Sequence, residues 1–165
     1  MGEGVKSLSL REKENMKIVN PSGFKPTGCK AYLANEIQTI PSAAYTKVLL
    51  NAVQYDHDNA FDIVTNHRYI VPKNGYYLCI GQVYYTVTVA DKIAGSYIYK
   101  NGSYVIQSRF HTASTAYITP IVCGELYLEK DDYIELYVLH TFGVEKDIDY
   151  YWDRTFLVIR QTREA

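Results

Sequence analysis

Residues 76–85 read Tyr76-Tyr77-Leu78-Cys79-Ile80-Gly81-Gln82-Val83-Tyr84-Tyr85. Aromatic and branched side chains of this kind suit a pleated, half-buried surface, so the stretch is expected to be a strand. Successive side chains of a strand point to opposite faces. Tyr77, Cys79, Val83 and Tyr85 therefore share one face, and Tyr76, Leu78, Ile80, Gln82 and Tyr84 share the other. Both faces are largely apolar. A strand of an antiparallel sandwich normally keeps one face wet.

The same pattern recurs twice. In residues 116–128, Tyr117, Ile121 and Cys123 stand opposite Ile118 and Val122, and Phe156-Leu157-Val158-Ile159 is apolar throughout. One sheet is thus expected to be apolar on its outer side as well, and a patch of that size calls for a cover. Further copies of the chain are the simplest cover, and the chain's own N-terminal segment is the other.

Around these stretches the chain reads as short strands broken by turns. Candidates are residues 29–34, 45–50, 68–71, 76–89, 95–100, 104–110, 116–128, 133–140 and 155–161. Lys73-Asn74-Gly75, Lys100-Asn101-Gly102 and Lys130-Asp131-Asp132 separate them, and Asn-Gly between two strand-like runs is a strong hairpin cue. Nine or ten short strands predict an all-β sandwich or jelly roll. Residues 1–28 differ: Ser9-Leu10-Arg11-Glu12 fits a capping box for a short helix over 10–17, followed by a segment dense in Pro and Gly. They are expected to form an arm ahead of a domain at 29–165.

The 165-residue length is one domain's worth, and a net charge of −1 lacks the basic face of a nucleic-acid binder. No run of apolar residues is long enough for membrane insertion, and the N-terminus carries no apolar core of signal-peptide length, so synthesis in the cytosol is expected. Cys29, Cys79 and Cys123 form neither a dense disulfide framework nor a C-x-x-C pair, and Cys79 and Cys123 are expected to be buried thiols. The unusual figure is 17 tyrosines against 5 phenylalanines and 1 tryptophan. Tyrosine buries a ring while tolerating a wet edge, which suits both strands and interfaces.

Several stretches resemble the superfamily of complement globular heads and tumour necrosis factors. Tyr45-x5-Asn51, then Phe61, then Tyr69-x5-Gly75-x-Tyr77 is similar to the complement-head signature. Residues 75–83 resemble the central strand of tumour necrosis factor relatives, residues 124–132 their Leu-x-Lys-Gly-Asp turn, and residues 155–158 their final strand. The likeness spans residues 29–161. It departs in the long gap between Asn51 and Phe61, at Cys79, and at Asp131 in place of the turn glycine. The resemblance implies a ten-stranded antiparallel jelly roll that trimerises through its inner sheet. It places Leu78, Ile80, Ile121, Leu126 and Leu157 toward the trimer axis, and Tyr77, Phe156 and Val158 in the subunit core. The expected trimer interface is thus Tyr32, Leu78, Ile80, Tyr84, Ile121, Leu126, Leu157 and Ile159.

Catalytic chemistry finds little footing. His57, His67, His111 and His140 never fall at a metal-ligand spacing, and no Gly-x-Ser-x-Gly is present. Asp56 and Asp58 are a weak calcium candidate, lacking the turn glycine and the closing glutamate of a calcium loop. Tyr150, Tyr151, Trp152 and Asp153 mark a candidate recognition loop, because Tyr and Trp dominate binding hot spots. Asn101-Gly102-Ser103 is formally a glycosylation sequon, although a hairpin turn accounts for it.

The sequence therefore suggests a non-enzymatic protein without cofactor. The first expectation is a viral or bacteriophage structural protein: a homotrimeric capsid-decoration, head-fibre or spike module on the virion surface, held to a capsid or other virion protein by residues 1–28. The second is a secreted or displayed ligand-type module that binds a receptor or a glycan through exposed loops.

Overall fold

A computed structural model describes residues 23–165. The helix expected over 10–17 and most of the expected arm lie outside the described residues. Among the described residues there are strands and no helix.

One sheet runs in the order β10 (Ile121–Leu128), β7 (Gly75–Gln82), β13 (Phe156–Glu164), β1 (Gly28–Tyr32) and β4 (Ala52–Asp56). The second runs β5 (Phe61–Asp62), β6 (Arg68–Ile70), β11 (Tyr133–His140), β8 (Lys92–Lys100) and β9 (Ser103–Thr112), with β3 (Thr46–Lys47) also paired to β11. A small ribbon of β2 (Gln38–Ile40) and β12 (Lys146–Ile148) completes the set. Every pairing is antiparallel. The two main paths hold five strands each, which is the expected ten-stranded sandwich, and β2, β3 and β12 are additions to it.

The core lies between the sheets. Tyr77, Cys79, Leu157 and Ile159 from the first sheet meet Tyr69, Ile98, Ile134, Leu136 and Val138 from the second. Gly81 is required where the layers come closest: a Cβ there would stand 2.5 Å from Leu136 Cδ1. Near the first strand, Lys73 Nζ donates to the Lys25 carbonyl at 2.8 Å and Thr27 is buried, so the chain is already tied to the sandwich before residue 28.

The turn chemistry holds in one place and not in another. Asn101 and Gly102, at φ 51° and 82°, close the β8–β9 hairpin, as Asn-Gly favours. Asn74-Gly75 makes no hairpin, because β6 and β7 belong to different sheets and the chain crosses between layers there. The strands expected over 76–89 and 116–128 are shorter than the apolar pattern: β7 ends at Gln82 and β10 begins at Ile121. Pro120 has no N–H to extend a ladder, and the pairing continues irregularly, through an isolated bridge from Tyr85 to Ile118 and the N–H groups of Val83 and Thr88 donating to the Pro120 and Ala116 carbonyls. Strand β4 was not expected at all, since Val53, Gln54 and Tyr55 lie exposed at a sheet edge and carry no alternating pattern.

Candidate functional site

Strand β7 alternates without a fault. Tyr77, Cys79, Gly81, Val83 and Tyr85 are buried, and Tyr76, Leu78, Ile80, Gln82 and Tyr84 are half-buried on the outer side. Register then fixes what stands beside each of them. Ile80 is flanked by Cys123 on β10 and Val158 on β13, and Val158 by Lys30 on β1. In the next row Gln82 lies between Ile121 and Phe156, and Phe156 faces Tyr32. In the row on the other side Leu78 lies between Glu125 and Arg160. Ile80, Val158, Phe156, Ile121 and Tyr32 therefore form an apolar band on the outer face of this sheet, interrupted by Gln82 and bordered by Lys30, Glu125 and Arg160.

Of the expected interface residues, Tyr32, Leu78, Ile80, Tyr84 and Ile121 lie on this outer face. Three others do not. Leu157 and Ile159 have 0% exposure and point into the subunit's own core, while Phe156 and Val158, expected in the core, face outward. The cause is register: Val158 pairs with Ile80 and Ile159 with Cys79, so Leu157 and Ile159 must share the face of the buried Cys79. Leu126 likewise packs inward, in parity with Val122 and Leu128. Cys123, expected to be buried, is exposed on the outer face, while Cys29 and Cys79 are buried free thiols.

Charged residues held the missing signal. Arg160 is exposed and shares parity with Val158 and Phe156, and Glu125 shares parity with Ile121, Cys123 and Tyr127. Each charge marks the outward side of a strand whose apolar residues do not.

The candidate recognition loop sits at the end of this face. Trp152 is 54% exposed, Tyr151 and Asp153 are exposed, and Tyr150 packs against the core. Lys30 Nζ lies 4.8 Å from the Trp152 ring centre and 4.7 Å from that of Phe156, joining loop to sheet by cation–π contacts. Gln82 Nε2 donates to the Asp153 and Arg154 carbonyls at 2.8 and 3.0 Å. Arg154 is ion-paired with Asp149 and lies 5.1 Å above both Tyr84 and Tyr151. Tyr151 adopts φ 138°, a strained value for a bulky residue, held in place by its N–H to the Leu33 carbonyl at 3.1 Å.

The calcium candidate is taken up locally. Asp56 Oδ2 accepts from the Phe61 N–H at 2.8 Å, and Asp58 accepts from the Thr27 hydroxyl. Among the described residues no three side chains of His, Cys, Asp or Glu gather as a metal site. The nearby Asp62 is a turn cap: N–H groups of Thr65, Val64 and Asn66 and the Asn66 amide hold its carboxyl well below the usual range. His140 is fully buried, stacked on Phe142 at 4.5 Å, with its Nε2 2.9 Å from the Ile40 carbonyl.

Compared with known proteins, the sequence matches no protein-family model and no curated protein. Solved structures do match. Eiger TNF from S. frugiperda aligns at TM-score 0.64 and 12% identity, over 85% of this chain and 94% of its own. A crystal structure of murine APRIL aligns at TM-score 0.64 and 16% identity, over 83% of this chain and 99% of its own. The fold is the tumour necrosis factor jelly roll. In this TNF-like fold the outer face of the five-stranded sheet and the Trp152 loop form one continuous surface, and the outer face of the second sheet lies across the sandwich from them.

Proposed function

We propose that this TNF-like protein is a non-enzymatic homotrimer acting as a ligand-type module, which binds a receptor or a glycan through exposed side chains and loops. The observation that carries the proposal is the apolar band of Ile80, Val158, Phe156, Ile121 and Tyr32 on the outer side of the five-stranded sheet. Fully burying an aliphatic or aromatic side chain is worth about 1.5–3 kcal/mol, so closing several such residues against two further copies gives a strong drive to associate. Cationic Lys30 and Arg160 and anionic Glu125 stand at the margins of the band, where ions of opposite sign can meet across a symmetric interface. The likeness to Eiger TNF favours the ligand-type reading over a virion structural role. The virion reading needs residues 1–28 as its anchor, and these fall mostly outside the described part of the chain.

Size-exclusion chromatography with light scattering tests the assembly. Wild type is expected at three times the subunit mass, and Ile80→Asp at one subunit mass with unchanged circular dichroism. A wild-type monomer at micromolar concentration overturns the proposal. For the binding role, Trp152→Ala is expected to leave the trimer intact and to weaken attachment to receptor-bearing cells. Incorporation of the protein into purified virus particles, lost on deleting residues 1–28, would instead restore the virion reading.

A further inference from the structure

The outer face of the second sheet carries a different surface, built from tyrosines. Tyr97 has 0% exposure yet stands apart from the central core, because it points away from it. Its cover is Tyr45, edge-on at 5.0 Å, and Tyr104, edge-on at 6.2 Å. Arg109 lies across the Tyr97 ring at 5.5 Å. Arg109 Nε donates to the Tyr97 hydroxyl at 2.7 Å, and one Arg109 Nη donates to the Tyr45 hydroxyl at 2.8 Å. Gly95, paired with Arg109, makes the arrangement possible: a Cβ there would stand 3.1 Å from the Tyr97 hydroxyl and 3.2 Å from Arg109 Cγ.

Two tyrosyl hydroxyls thus hold an exposed guanidinium in a fixed pose, and neither neutralises it. Among the described residues no carboxylate lies within ion-pairing distance of Arg109, whereas Lys47, Lys100, Arg154 and Arg163 each have one. The second guanidinium nitrogen has no hydrogen-bond partner among the described residues. A pre-ordered guanidinium is suited to a carboxylate, because little freedom remains to be lost on binding.

We propose that Tyr45, Tyr97, Tyr104 and Arg109 form a binding site for an acidic sugar, with the carboxylate on Arg109 and the sugar ring against the exposed faces of Tyr45 and Tyr104. The proposal deepens the ligand-type reading by naming a ligand chemistry and placing it on the face of the second sheet, away from the Trp152 loop. A sugar fits this site better than an acidic peptide does. A peptide added as a strand would pair with the open edge of β9, in the plane of the sheet, whereas Tyr45, Tyr97 and Arg109 stand on the sheet's face, above that plane. Rings and a fixed fork remain, and these suit a pyranose bearing a carboxylate. Tyr45 and Tyr104 are 43% and 52% exposed, so a large part of each side chain is accessible to it.

The test is an NMR titration of the full chain with 3′-sialyllactose and with lactose. Sialyllactose is expected to shift the Arg109 Nε–H resonance and to bind roughly tenfold more tightly than lactose, the factor that the loss of one charged hydrogen bond accounts for. Arg109→Gln is expected to remove that advantage and leave lactose unchanged, and Tyr104→Ala to weaken both sugars. Equal affinity for the two sugars, or shifts confined to Lys30 and Trp152, overturns the site. So does a hexa-aspartate peptide that binds as tightly as sialyllactose. Should either variant misfold, the wild-type titration decides by itself. Light scattering on the same samples keeps the readings apart: a trimer without sugar binding sinks this site alone, and a monomer that binds sialyllactose sinks the assembly alone.

Discussion

The two outer faces of the sandwich solve the same problem in opposite ways. On the five-stranded sheet, Ile80 pairs with Val158, and Phe156 and Ile121 flank Gln82 in the next row, with no strand layer of this chain above them among the described residues. On the second sheet, Tyr97 is sealed by its neighbours, Tyr99 stacks on Tyr137 at 4.0 Å, and Lys47 pairs with the nearly buried Glu135 at 2.5 Å. Aliphatic side chains cannot shield one another while keeping a polar end in water, whereas tyrosines can. Under the proposed trimer one face is finished by assembly, and the other is finished within the subunit. Tyr45, Tyr97, Tyr99, Tyr104 and Tyr137 serve the second purpose, while Tyr32, Tyr76, Tyr84 and Tyr127 surround the aliphatic residues of the first face.

If this contrast is right, a substitution should act on association at one face and on subunit stability at the other. The largest effect is expected from Ile80→Asp, which takes the oligomer to monomer while the monomer's melting curve barely moves. Across the sandwich, Tyr97→Ala is expected to cost about 3 kcal/mol in urea unfolding with the oligomer unchanged, since it empties a buried ring site. Lys47→Met leaves Glu135 buried without a counter-charge, and a loss of about 2–4 kcal/mol is expected in the same assay. Exchange of effects, with Tyr97→Ala dissociating the oligomer and Ile80→Asp unfolding the subunit, would break the comparison.

Smaller effects sharpen it. Cys123 lies on the outer face beside Ile80, so its reaction with maleimide is expected to slow as protein concentration rises, while Cys29 and Cys79 stay unreactive until unfolding. Burial pushes the thiols of Cys29 and Cys79 up, Cys79 to about 12, which keeps them protonated and slow even in mild alkali. His140 gives a pH dependence belonging to the core alone. Burial lowers its pKa, the Ile40 carbonyl opposes that, and Lys146 adds to it. The unfolded chain therefore takes up the proton first. Stability is expected to be full above about pH 6.5 and to decline as pH falls below it, a slope that His140→Gln should flatten in pH-dependent urea melts.

Some of this was legible in the residues. The faultless alternation of residues 76–85 shows a strand apolar on both sides, and Asn101-Gly102 marks a hairpin by its need for positive φ. Strand β13 was legible only in part. Its four apolar residues at 156–159 carry no contrast between faces, so the residues alone do not tell outward Val158 from inward Ile159. Arg160 does carry that contrast.

The amino-acid sequence by itself determined the all-β class, the doubly apolar central strand and the main hairpin, because alternation and turn conformation are properties of neighbouring residues. The tertiary structure alone decided the parity of β13 and the meeting of Tyr45, Tyr97, Tyr104 and Arg109. Tyr45 and Arg109 are 64 residues apart in the chain, and only strand register and sheet order bring such groups within 2.8 Å. Local pattern fixes which way a side chain can point, and pairing between distant strands fixes what it meets.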